Sequence, residues 1–231
     1  MKKINEINLF ASYSNSTKKR LIKKNSRTNI HNRIIASLKG RDFYDGKRKY
    51  GFGGYKYDGR WKKIAEVFIE KYKLNNRSKI LQINCDKGFL IYELKKILPN
   101  AKIVGVDRSK YSINNSKKEI KKLISFNEGV KLNFKSKTFD CVIAIGYVYE
   151  FAIFQIIAAL KEITRVSKGF NNFITLGTYI KKKDLILFKE WSLLGTTILK
   201  KKEWISLLKF SKYKGDYEFV TSKTLNLKIY R

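Results

Sequence analysis

The sequence predicts an α/β fold, with a mostly parallel central sheet and helices on both faces, and three stretches carry that expectation. In Ile80 to Leu94, an apolar run of strand length enters a small polar turn, ends on Gly88 and reopens with apolar residues at helical spacing. Ile103-Val104-Gly105-Val106-Asp107 is a second apolar strand that finishes on a carboxylate. Phe139 to Gly146 holds the unbroken apolar run Cys141 to Ile145, as a strand covered on both faces should. Strands alternating with helices imply parallel pairing and right-handed crossovers.

Each element has its own signal. Trp61, Ile64, Ala65, Phe68, Ile69 and Tyr72 lie on one face of an amphipathic helix that ends at Asn75-Asn76. The helix through Leu90, Leu94 and Leu98 stops at Pro99. A lysine-rich helix is expected from Asp107 to about Ile124, followed by a short strand somewhere between Phe126 and Phe134. Phe151 to Val166 keeps a strong apolar face and closes at Lys168-Gly169, before a strand at Phe173 to Gly177. Two further helices, near Leu185 to Leu194 and around Trp204, Leu207 and Leu208, lead to strand-like Tyr217 to Val220 and Leu225 to Tyr230.

The chain's 231 residues suit one α/β core. Its 51 basic and 19 acidic residues leave a charge of +32, which favours polyanionic partners. The lysines are scattered, however, and accompany an excess of Asn and Ile, so drift in composition explains them better than polyanion binding, for which a clustered stripe would serve. Residues 1–40 hold ten Lys or Arg against Glu6 alone. They read as a basic, partly ordered arm, dispensable for folding, with residues 41–231 as a single domain; His31 within the arm should be exposed and idle. Cys85 and Cys141 fall in expected core strands without metal-ligand spacing, so we expect buried thiols, no metal and a reducing, cytoplasmic setting. The start of the chain has no apolar leader, and no run is long enough to span a membrane.

A strand-turn-helix unit directs the first N–H groups of its helix over the strand's carboxyl end, which favours a nucleotide-like ligand there. Asp107, at the end of the next strand, could accept hydrogen bonds from both ribose hydroxyls, or it could cap the following helix, a role for which Ser109 competes. Between Asp42 and Trp61 glycines alternate with aromatic rings. That texture suits a lid or pocket wall, with Tyr55, Tyr57 and Arg60 toward a substrate, or a loop that plugs the core.

The order of these motifs resembles class I S-adenosylmethionine-dependent methyltransferases, which have a Rossmann-like fold, over about residues 61 to 180. The matching stretches are Leu81 to Gly88, Val104 to Ser109, Phe139-Asp140-Cys141-Val142, and Leu160 to Val166. Tyr50 to Trp61 and Tyr213 to Tyr217 also look like a narrower bacterial subgroup. The resemblance implies S-adenosylmethionine as cofactor, with Asn84, Asp86 and Gly88 under its methionine part, Asp107 on the ribose and Glu128 near the adenine. It also implies that Gly146, Tyr147, Tyr149 and Glu150 face the methyl group and an acceptor oxygen or nitrogen, Tyr149 and Glu150 being the candidate bases. The acceptor itself is not indicated. Where the family turn carries an acid and three glycines, this chain has Gln82, Asn84, Asp86 and Gly88. That erosion leaves a rival open: a module without catalysis that binds RNA or another polyanion.

Overall fold

Strand-forming and amphipathic runs alternate along the chain, and the computed structural model, which describes residues 4–9, 20–23 and 28–230, follows that alternation. The elements are β1 (Arg20–Lys23), α1 (Ile30–Ser37), α2 (Arg41–Tyr44), α3 (Trp61–Tyr72), β2 (Lys79–Ile83), α4 (Phe89–Ile97), β3 (Lys102–Asp107), α5 (Lys110–Asn114), β4 (Ile124–Phe126) and β5 (Cys141–Ala144). They continue with α6 (Ile153–Val166), β6 (Asn172–Tyr179), α7 (Lys182–Trp191), β7 (Leu199–Lys200), α8 (Lys201–Phe210), β8 (Asp216–Val220) and β9 (Leu227–Tyr230). Seven strands form one sheet in the order β4-β3-β2-β5-β6-β7, with β8 also on β6, and every pairing in it is parallel.

Alternation along the central strands explains why both faces are covered. Ile80, Ile103, Cys141, Ile143 and Phe173 pack on the side of α3 and α4, whereas Leu81, Ile83, Val106, Val142, Ala144 and Ile174 pack with α6 and α8. A strand buried on both faces must be apolar at successive positions, which is the pattern of β5. Cys85 and Cys141 are free and buried, as expected. No helix among the described residues is long and apolar enough to cross a membrane, and no cluster of metal-binding side chains occurs among them.

Two expectations need correction. The lysine-rich helix stops at Asn114, because the Asn115 amide and the Ser116 hydroxyl donate to the carbonyls of Tyr111 and Ile113 and turn the chain out of the helix. The following strand lies at β4, earlier than expected. Leu132 and Phe134 do bury toward α6, but their backbone groups bond to Glu162 and Arg165 side chains instead of a neighbouring strand.

The described part of the basic arm is fastened to the body. Ile7 and Asn5 exchange backbone hydrogen bonds with Tyr217, Leu9 is buried in the α3–α4 core, and β1 pairs with β9 in a two-stranded sheet. Ala36 packs with Phe43, Tyr44 and Leu193. His31 is exposed, with its ring edge-on to Tyr50.

Candidate functional site

After β2 the backbone takes left-handed φ values of 56° at Asn84, 50° at Asp86 and 70° at Gly88. Asn and Asp visit this region more readily than other residues with a Cβ. The turn thus has the geometry that glycines favour, with a glycine at only one of these three positions. At Gly88 a Cβ would come 2.5 Å from Ile124 Cδ1 and 2.6 Å from Ile120 Cδ1, so a side chain there would force both isoleucines to shift. Gly88 packs against Ile120 and Ile124 and lines neither cavity described below.

Side chains hold the turn. The Asn84 amide donates to the carbonyls of Ile145 at 3.3 Å and Gly146 at 3.5 Å, tying β2 to β5. The Asp86 N–H donates to Asp107 Oδ2 at 2.7 Å, tying β2 to β3. Asp107 Oδ1 accepts from the Ser109 N–H at 2.8 Å and the Ser112 hydroxyl at 3.3 Å. Ser109, not Asp107, caps α5 through its own hydroxyl oxygen. Burial pushes the Asp107 carboxyl up, Lys39 opposes that rise and Asp86 adds to it, for a net increase.

At the centre of these groups lies a residue that no pattern in the sequence singles out. Lys39, 2% exposed, donates to Asn84 Oδ1 at 2.6 Å, and its ammonium stands 3.1 Å from Asp86 and 3.7 Å from Asp107. Burial works against its charge, but Asp86 and Asp107 win, and its pKa is raised. The Tyr44 hydroxyl, from α2, donates to Asp86 at 2.7 Å. Lys39 is one lysine in an arm crowded with them, so no spacing could mark it.

Two cavities meet here. A narrow cleft of about 20 Å³ is lined by Ile83, Val106, Asp107, Tyr147 and Phe151 and by Asn127 and Gly129. A wide cavity of about 650 Å³ adjoins it, walled by Lys39, Asp86, Gly146 and Tyr149, by Phe52, Tyr55 and Arg60, and by Trp191 to Leu194. Asn84 and Glu150 line both. Glu150 ends a 3₁₀ turn (Val148–Glu150) after β5, 3.6 Å from the Arg108 guanidinium. Burial pushes its carboxyl up to about 7, although Lys39 and Arg108 pull it down. Burial, helped by Glu150, raises the Tyr149 hydroxyl well above its ordinary value, so it stays protonated near neutrality. At Gly146, φ is 67°, and an added Cβ would meet nothing closer than 3.8 Å.

The remaining expected residues divide between the two cavities and the surface. Tyr55 stacks between Phe52 and Phe89 at centroid distances of 4.3 and 4.9 Å and faces the wide cavity. Arg60 stands exposed at its rim, paired with Asp58. Tyr57 lines neither cavity: its hydroxyl donates to the buried Glu93 of α4, and its ring meets Phe89 and Tyr92 edge-on. Tyr147 lies in the narrow cleft, away from the wide one. Glu128 is exposed and lines neither, its neighbours Asn127 and Gly129 standing at the cleft instead.

Comparison with known proteins agrees with this architecture. Residues 74–211, more than half of the chain, match the sequence model of a methyltransferase domain. The YcgJ protein of Bacillus subtilis is similar in structure at a TM-score of 0.52 and 16% identity, over 64% of this chain and 66% of that one. A candidate methyltransferase of Bacillus halodurans gives 0.52 at 14% identity, over 64% and 67%. The [4+2]-cyclase SpnF gives 0.52 at 12% identity, over 83% and 75%. The chain thus spans about two thirds of the length of the first two. These likenesses show the fold, the Rossmann-like α/β fold of class I methyltransferases, and the polyanion-binding alternative gains no support from them. No curated protein sequence matches the chain.

Proposed function

Because the chain belongs to the methyltransferase-domain family, we propose that it transfers the methyl group of S-adenosylmethionine to an oxygen or nitrogen of an acceptor held in the wide cavity. The observation that carries this reading is the meeting of a narrow, partly aromatic cleft and a wide cavity at Asn84 and Glu150, over the carboxyl ends of β2, β3 and β5. Brought to that junction, the cofactor would supply a methyl carbon made electrophilic by its sulfonium.

The residues present fit such a ligand. The walls of Val106, Tyr147 and Phe151 suit a flat nucleoside base, and the slit between them must part to admit it. Asn84, Asp86 and Gly146 would bear on the methionine part and Asp107 on the ribose, while Asn127 and Gly129 would take the place near the adenine that the resemblance assigned to Glu128. Alignment of two reactants is the chief demand of a displacement at carbon, and a wall shared by both cavities provides it. Glu150, ionising near 7, is suited to take a proton from an acceptor at neutral pH, whereas Tyr149 keeps its proton and can only orient. Tyr55 and Arg60 would contact the acceptor.

The glycine- and tyrosine-rich segment 50–61 lies outside the matched residues and carries cavity-lining side chains, which supports its being the mark of a narrower bacterial subgroup. Two buried free thiols fit a reducing, cytoplasmic setting. Titration calorimetry of the full chain with S-adenosylhomocysteine tests the cofactor reading. Saturable one-to-one binding is expected, and absence of both heat and thermal stabilisation would overturn it.

A further inference from the structure

The wide cavity has a stretch of wall to which the cofactor reading gives no task. Much of it comes from parts of the chain outside residues 74–211: Arg20 at the start of β1, Arg48 and Phe52 before α3, and residues 224–226 before β9. Trp191, at the end of α7, stands in the same wall. None of these residues lines the narrow cleft.

Two guanidiniums share that wall. Arg20 stands over the Trp191 ring, 5.9 Å from its centroid. The Arg48 guanidinium donates to the Gly51 carbonyl. Gly51 in turn lies so close to α2 that a Cβ would fall 1.9 Å from Phe43 O, so a side chain there would push the turn that holds Arg48 off that helix. Arg48 remains accessible, and among the described residues no carboxylate pairs with it. Carboxylates elsewhere on the wall are already engaged, Asp58 by Arg60, Glu150 by Arg108 and Glu218 by the Leu9 N–H. Burial, and then the like charge of Arg20, lower the Arg48 pKa, so the fold works against the charge it places here. Like charges held together in an open cavity, beside the flat rings of Phe52 and Trp191, suit an anion with an apolar body.

We infer that the acceptor carries a carboxylate or phosphate on a flat apolar body, the acid group held by Arg48 and Arg20, the body lying against Phe52 and Trp191, and its reacting oxygen or nitrogen turned to Glu150. This deepens the acceptor reading above and rests on it. A guanidinium offers paired N–H donors in one plane, which match two oxygens of either acid group. Glu150 and the two arginines line one cavity, so a single molecule can meet both.

The test uses three probes that share one flat body: 2-naphthoate, 2-naphthyl phosphate and the neutral 2-naphthamide. Each is titrated by calorimetry into the full chain, alone and saturated with S-adenosylhomocysteine. At least one anion should bind about tenfold or more tighter than the amide, as a charge-assisted contact predicts, and S-adenosylhomocysteine should not displace it. The tighter anion tells which acid group the acceptor bears. Arg48→Met should remove most of the preference while melting within a few degrees of the parent, and Arg48→Lys should restore part of it. Equal affinity of the unaltered protein for anions and amide, or no binding of any probe, would overturn the inference without any variant. So would displacement of the anion by S-adenosylhomocysteine, or a preference that survives both Arg48→Met and Arg20→Met. Binding of S-adenosylhomocysteine without an anion preference removes only the acceptor class; an anion preference in a chain that binds no S-adenosylhomocysteine overturns methyl transfer and keeps only the anion site.

Discussion

The Glu150 carboxylate stands 3.6 Å from the Arg108 guanidinium on the wall shared by both cavities, yet burial outweighs that partner and holds its pKa up to about 7. A carboxyl raised on folding favours the folded state while protonated. Its contribution is complete below the ordinary value of 4.5 and is lost as pH rises through about 7. Glu150→Gln should therefore melt like the parent at pH 4.5 and higher than it at pH 8, by on the order of 3 kcal/mol at most. Thermal melts at the two pH values decide this, and a variant that is less stable at pH 8 would show that the pair with Arg108 dominates.

Asp107 behaves differently because every contact of its carboxylate is internal. Its oxygens accept from Asp86, Ser109 and Ser112 and face Lys39, and its side chain is fully buried. Asp107→Ala leaves buried donors and a buried cation without their acceptor, and is expected to destabilise the fold by about 3 to 5 kcal/mol. Cofactor affinity should fall along with stability. Denaturant unfolding monitored beside calorimetry checks it; weakened binding at unchanged stability would return Asp107 to a ligand role alone.

The glycine- and aromatic-rich segment divides by the hydroxyl of one residue. Tyr57 donates to Glu93, which is 1% exposed, whereas Tyr55 presents its ring to the wide cavity. Tyr57→Phe should lower stability by about 1 to 3 kcal/mol, the consequence of leaving a buried carboxylate short of a donor. Tyr55→Phe keeps the ring stacked between Phe52 and Phe89, and its melting temperature should stay within a few degrees of the parent. Reversal of that order in a melting experiment would exchange their roles.

How much of this the sequence disclosed follows the range of each interaction. The strand-turn-helix at Ile80 to Leu94, the strand ending at Asp107 and the apolar β5 were legible because periodicity and turn chemistry are local. The early end of α5 depended on whether Asn115 and Ser116 would turn their side chains onto the helix carbonyls, which spacing does not reveal. The resemblance turned Gly146, Tyr149 and Glu150 toward the methyl group and acceptor, and the end of β5 carries all three to the wall of the wide cavity. Tyr57 and Tyr147 were displaced from the wide cavity by partners remote in sequence, Glu93 and Gly129. Lys39 was invisible for the same reason: its partners, Asn84 and Asp107, lie far down the chain, and nothing in a basic arm distinguishes one lysine from the next.

The largest consequence concerns residues 1–40. Composition alone makes them an arm whose loss leaves the melting temperature nearly unchanged. The contacts argue the reverse, since a chain beginning at Arg41 removes Lys39 from Asn84, Asp86 and Asp107, Ala36 from the Phe43–Tyr44 cluster, and Leu9 from the α3–α4 core. Two carboxylates joined through the Asp86 N–H would then face each other without their cation, a loss of about 3 to 5 kcal/mol before any packing is counted. For a domain of this size that corresponds to a fall in melting temperature of roughly 10 °C or more. A second chain beginning at Thr28 keeps α1 and Lys39 while losing β1 and Leu9, so it separates the clamp from the packing. We expect the longer chain to bind S-adenosylhomocysteine and the shorter one to lose that binding. If the chain beginning at Arg41 melts within about 3 °C of the full protein and still binds S-adenosylhomocysteine, Lys39 clamps nothing, and the reading of residues 1–40 as part of the folded body falls with it.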